Sequence, residues 1–146
     1  MQWIEKEEVV RFNEVDQWGM AWYGHYMAWF EAGRLALLRR FDLLPRQMVD
    51  LGYIAPVINL KCDFKHPAAC GDCIIIRTTA VKPEIAALIF KFEVLLKESR
   101  TLLARGETTQ VLLTTNNKMI YRISGELEKR ITNLVNYCTD KQNPSK

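Results

Sequence analysis

The stretch that decides the fold runs from Val15 to Arg34, VDQWGMAWYGHYMAWFEAGR. One acid, Asp16, closes an alternating segment (Val10, Phe12, Glu14) that reads as a strand over residues 7–15. Gly19 and Gly24 follow. Apolar side chains at Tyr26, Met27, Trp29, Phe30, Leu35, Leu37, Leu38 and Phe41 then predict a helix over 26–41. Its few polar positions are Glu31 and Arg34, three apart on one face and able to pair, and Arg39 and Arg40 near the C-terminal end, where the helix dipole favours cations. A helix apolar nearly all round must be covered nearly all round, so it is expected at the centre of the fold. The junction places a carboxylate at the positive end of that helix. Free first-turn amides can bind a developing oxyanion, and a nearby carboxylate can act as nucleophile or base. Glu14 lies two residues before Asp16 on the same strand face, and nothing in the sequence places it at the helix start.

Outward from this junction, Ile58, Leu60, Cys62 and Phe64 alternate with Asn59, Lys61, Asp63 and Lys65, which predicts a half-buried strand. His66-Pro67 ends it and Gly71-Asp72 marks a turn. Residues 73–82 are β-branched and strand-like. After Pro83-Glu84, Leu88, Phe90, Phe92, Val94 and Leu96 alternate on one face. A further strand runs from Leu102 to Thr115. Ser124 then precedes an amphipathic helix with Leu127, Ile131, Leu134, Val135 and Cys138 on one face and Glu126 and Glu128 in its first turn. Short connections imply antiparallel neighbours. The order predicts an α+β domain, an antiparallel sheet wrapped around one apolar helix, with a second subunit or the terminal helix covering the rest. One domain spans 1–146, and its tail, about 139–146, is expected to be disordered.

The bulk composition fits a single globular unit: 49% hydrophobic and 25% charged residues. A net charge of +3, with Lys and Arg scattered, argues against a nucleic-acid protein and suits an anionic small molecule only weakly. No leader-like apolar region opens the chain, and no run approaches the ~18 apolar residues of a membrane span. The four cysteines are too few for a disulfide scaffold, so reduced thiols in the cytoplasm are expected. Cys62, His66, Cys70 and Cys73 have a spacing that a zinc site could use. Against this, Cys62 is in phase with the apolar face of its strand and the Cys70–Cys73 pair straddles a turn, so buried thiols plus a turn are expected, with zinc and a redox pair as the alternatives.

With these residues in place, the chain resembles the hotdog-fold acyl-CoA thioesterases of the hydroxybenzoyl-CoA thioesterase family. The resemblance rests on Asp16, Gly19, Tyr26, Phe30-Glu31 and Arg34 at matching spacing. It extends more weakly through FKHPAACGD (64–72), ARGETTQVLLT (104–114) and Tyr121-Arg122-Ile123. It implies a hotdog fold, a homodimer or homotetramer, and hydrolysis of an acyl-CoA or acyl-carrier-protein thioester without a cofactor. Asp16 would carry the catalytic carboxylate, and the Tyr23 backbone N–H would polarise the thioester carbonyl. The departure is at position 23, where many short-chain acyl-CoA members have His; the hydroxybenzoyl-CoA members are more similar there.

The residues expected to contact substrate are Gly19, Trp22, His25, Tyr26 and Lys65. For His25 a capping or packing imidazole is the alternative, and for Trp22 core or interface packing. Lys61, Lys65, Arg77 and Lys82 are the basic residues that the resemblance puts near the CoA phosphates, against solvated strand faces as the plain alternative. A thiolate leaving group, from a thiol of pKa about 8.5, needs no strong general acid, so the small number of His residues is no obstacle. The competing functions are a hotdog protein that binds acyl thioesters without hydrolysing them, and a zinc-stabilised interaction module.

Overall fold

Alternating apolar side chains build one face of a five-stranded antiparallel sheet, and the apolar helix crosses that face. The computed structural model describes residues 1–139. The tail expected to be disordered lies, from residue 140 on, outside the described residues. In chain order the elements are β1 (Ile4–Val9), α1 (His25–Arg39), α2 (Pro45–Asp50), β2 (Tyr53–Ile54), β3 (Val57–Phe64), β4 (Cys73–Val81), β5 (Ala87–Leu96), β6 (Leu102–Val111), β7 (Leu113–Thr114) and α3 (Gly125–Thr139). The large sheet has the order β1-β4-β5-β6-β3, and β2 pairs with β7 in a small one. Among the described residues no helix is long and apolar enough to cross a membrane.

Helix α1 packs on the face formed by Ile74, Ile76, Phe90, Phe92 and Val94, all buried. Gly33 is the close-approach point: a Cβ there would collide with Ile76 and Thr78 of β4. Arg34 pairs with Glu31, as their spacing allows. Helix α3 buries Leu127, Ile131, Leu134 and Cys138, and the Arg40 guanidinium both bonds the Tyr137 hydroxyl at 2.9 Å and stacks on its ring. On the opposite sheet face, Glu5, Arg77, Glu93, Arg105 and Asp63 align in register across all five strands. Their signs alternate, and Arg77 meets Glu93 at 2.8 Å.

Several expectations are corrected. The strand expected over 7–15 is two things: β1 ends at Val9, and Phe12–Glu14 form a single 3₁₀ turn. Val10 is buried, but Phe12 is 80% exposed, so the alternation Val10, Phe12, Glu14 does not lie on one sheet face. The helix expected over 26–41 begins at His25 and ends at Arg39. It is not covered all round in the single chain, where Ala28 and Glu31 are exposed and Met27, Leu35 and Ala36 half-buried. The strand expected to be half-buried, β3, is a sheet edge on which only Cys62 is half-buried and every other residue is exposed. Nor does the short link to β4 make the two strands neighbours. Residues 65–72 cross the end of the sheet, over two intervening strands or about 14 Å, and β3 pairs with β6 instead.

The long strand 102–115 breaks at Leu112, leaving β6 and the short β7. Helix α2 and strand β2, between Phe41 and Val57, carried no periodic signal. The alternation along β5 holds to Val94, where a register shift against β6 places Leu95 rather than Leu96 among the buried residues. Of the thiols, Cys138 is buried and Cys62 only half-buried, while Cys70 and Cys73, which flank the turn at Gly71, are exposed. Among the described residues no three His, Cys, Asp or Glu side chains gather as a metal site.

Candidate active site

The segment between the 3₁₀ turn and α1 folds back on itself as a tight hairpin. Val15 and Ala21 form a bridge, the Asp16 amide donates to the Met20 carbonyl at 2.7 Å, and the Gly19 amide donates to the Asp16 carbonyl at 3.0 Å. Gly19 has φ +79°, a left-handed conformation that glycine adopts without steric cost. The Asp16 side chain closes the same turn. Its Oδ1 accepts the amides of Trp18 at 2.9 Å and Met20 at 3.2 Å. Its Oδ2 has no partner among the described residues.

At the start of α1 the amides of His25, Tyr26 and Met27 donate back to the carbonyls of Trp22, Tyr23 and Gly24. The amides of Tyr23 and Gly24 have no acceptor among the described residues. These are the orphan donors of a helix N-terminus, where the dipole adds a partial positive charge.

Asp16 and Tyr23 line one open cleft of about 290 Å³, together with Met20, Tyr26, Lys65 and His66. Four of the expected site residues thus come together: Asp16, Tyr23, Tyr26 and Lys65. Tyr26 is buried, its ring edge-on to Phe64 at 5.1 Å and to Trp29 at 4.8 Å. Burial, with a smaller contribution from the neighbouring Cys62, pushes its phenol up, so it stays protonated and able to donate. The segment 65–66 is held at the cleft edge by the amides of Lys65 and His66, both donating to the Leu103 carbonyl.

Three expected site residues sit outside the cleft wall. Gly19 shapes the turn. Trp22 lies beside the helix start, its indole filling the space a Cβ at Gly24 would need. His25 turns away and pairs with Glu14. Glu14 is therefore at the helix start after all, because the chain bends at Val10 and the 3₁₀ turn swings its carboxylate towards α1. The sequence pattern marks His66 only as a strand breaker or a zinc ligand; its place directly after Lys65 at the strand end is the signal for its position in the cleft.

A family model described as the thioesterase-like superfamily matches residues 10–131. The chain is 32% identical over 76 residues to the candidate acyl-CoA thioesterase YneP of Bacillus subtilis, a match covering 51% of this chain and 55% of that protein's length. It is 23% identical to the 1,4-dihydroxy-2-naphthoyl-CoA hydrolase of a Synechococcus species, over 80% of each chain. Its fold superposes on the crystal structure of a 1,4-dihydroxy-2-naphthoyl-CoA thioesterase from Synechocystis with a TM-score of 0.80 and 21% identity, covering 91% of this chain and 98% of that one.

Proposed function

The chain belongs to the thioesterase-like superfamily, and from that premise we propose that it hydrolyses acyl-CoA thioesters to a free acid and CoA. The hotdog-thioesterase resemblance carried by Asp16, Gly19, Tyr26, Phe30, Glu31 and Arg34 lies wholly within the matched residues. The observation that carries the reading is the cleft shared by an aspartate carboxylate oxygen and a tyrosine backbone amide that have no partners among the described residues.

In this reading the Tyr23 N–H donates to the thioester oxygen as negative charge develops on it. Loss of one such donor typically costs ~10²–10³ in rate. Asp16 takes a proton from water as that water attacks the carbonyl carbon, or attacks the carbon itself. In either route the C–S bond breaks and CoA leaves as thiolate. In the second, water then opens the acyl–Asp16 anhydride. Tyr26 offers its neutral phenol to the bound acyl group, and the Lys65 ammonium meets CoA phosphate. Gly19 keeps the turn that holds Asp16, while Trp22 and His25 flank the helix start. The thiols fit a reducing cytoplasm.

A homodimer completes the picture. The β3 edge exposes Val57, Ile58, Leu60 and Phe64, and α1 is uncovered on one side. An apolar strand edge of this kind is normally covered, and a second copy along β3 would place the cleft, which Phe64 also lines, at the subunit boundary.

Thiol release from a panel of acyl-CoAs, aromatic and aliphatic, tests the activity, with Asp16→Asn alongside. The wild type is expected to turn over at least one acyl class, and Asp16→Asn to lose about 10²–10⁴ in kcat while remaining folded. Retention of more than about a tenth of kcat would reject Asp16 as the reacting carboxylate. Binding without thiol release across the panel would make the protein an acyl-thioester binder instead.

A further inference from the structure

The Glu14 carboxylate and the His25 imidazole meet beside the Asp16 hairpin, and neither side chain lines the cleft. Glu14 is 9% exposed. A carboxylate that buried is costly unless it is paired, so the pair holds its geometry firmly. The other Glu14 oxygen accepts the Arg11 amide at 2.7 Å, and the Glu14 carbonyl accepts the Trp22 amide at 2.8 Å. One residue is thereby tied to the chain before the hairpin, to its far end, and to the first turn of α1. The His25 ring is braced from the other side by Trp29, edge-on at 5.2 Å.

Asp16 sits on the first leg of the hairpin and Tyr23 just beyond the second. Their separation is fixed by the angle at which the hairpin meets the helix. The Glu14–His25 pair is the side-chain tie across that angle. We propose that Glu14 and His25 are positioning residues: they set the gap between the Asp16 carboxylate and the Tyr23 amide without touching substrate. The proposal rests on the reading of Asp16 and Tyr23 given above. A misplacement of about 1 Å between reacting groups can cost on the order of 10²-fold in rate, so the pair is expected to act on kcat rather than on binding.

Four variants test it: Glu14→Ala, His25→Ala, the double Ala variant, and Glu14→Gln, whose one carbonyl oxygen can still accept the Arg11 amide while its NH2 donates to the Nε2 of a neutral His25. On an acyl-CoA that the wild type accepts, each Ala variant is expected to lose about 10- to 10²-fold in kcat with KM little changed. The double variant is expected to be no worse than the worse single, as for two groups acting as one unit. Glu14→Gln is expected to recover most of the loss. A second readout does not depend on activity. In the Ala variants the amides of Trp18 and Met20, which donate to Asp16, are expected to exchange faster with solvent while those of β5 are unchanged.

Folded Ala variants with wild-type kcat and wild-type exchange overturn the proposal. So does a loss confined to KM, or a kcat loss that Glu14→Gln fails to restore. If Glu14→Ala does not fold, His25→Ala carries both readouts, since its imidazole is 28% exposed. If Asp16→Asn stays active while amide exchange still rises in the Ala variants, the catalytic reading of Asp16 fails and the tie between hairpin and helix stands.

Discussion

The Phe30 ring lies on the Phe92 ring, centroids 4.6 Å apart and 15° from parallel, and its edge occupies the space that a side chain at Gly106 would need. This one stack joins α1 to the middle of the sheet and fixes how far the helix sits above β5 and β6. Gly106→Ala is expected to destabilise the fold, because overpacking a close-packed core typically costs about 1–3 kcal/mol. Thermal unfolding measures it. Phe30→Leu in the same chain is expected to absorb part of the damage, giving a double variant more stable than the sum of the two single losses. Simple additivity would mean that Phe30 is not what position 106 meets.

Tyr23→Phe is expected to be tolerated far better than Tyr23→Pro. Phe keeps the ring and the amide. Pro removes an N–H that has no acceptor among the described residues, so its structural cost is modest. Its catalytic cost is expected at about 3–4 kcal/mol, the range for a lost oxyanion donor. The comparison is kcat/KM on an accepted acyl-CoA, with melting temperature beside it. Equal damage from both variants, with both folded, would move the working group from the amide to the phenol.

Light scattering at micromolar concentration is expected to give at least twice the mass of one chain. Ile58→Lys on the exposed β3 edge, where the native side chain is 61% exposed, is expected to shift the protein towards monomer. The same variant is expected to lose activity, because the cleft shares Phe64 with that edge. A monomer with full activity would defeat the subunit-boundary reading.

The thiols are expected to differ in reactivity. Burial, followed by the neighbouring Asp63 charge, pushes the Cys62 thiol up to about 11 from the ordinary 9.0. At mildly alkaline pH the exposed Cys70 and Cys73 are therefore expected to react with a thiol reagent ahead of Cys62, and the buried Cys138 last. The sign for stability follows from the same shift. Between pH about 9 and about 11 the unfolded chain gives up its Cys62 proton while the folded chain keeps it. The contribution of Cys62 is thus fully present below that window and lost as pH rises through it. Replacing Cys62 by Ser and repeating the pH series isolates the effect; an unchanged pH dependence would count against it.

The sequence by itself determined α1, the inward face of β5 through Leu88, Phe90, Phe92 and Val94, and the α+β class. In these segments one side faces the core, and the period of the apolar residues reports that side directly. It also located Asp16 and Tyr23 at one junction, because the turn and the helix start that hold them are local structures within eight residues of each other. Only the tertiary structure decided which strands are neighbours. The pattern of β3 fits an inner strand as well as an edge, and its pairing with β6, from Phe64 with Ala104 to Val57 with Gln110, is made between segments far apart in the chain. The Glu14–His25 pair was equally hidden. Val10, Phe12 and Glu14 alternate as a strand would, and the bend that carries Glu14 to the helix is fixed by long-range bonds, among them the Val10 amide to the Asp72 carbonyl. Periodicity reports which side of an element is apolar. What that side meets is set by contacts between segments far apart in the chain, and these carry no periodic signal.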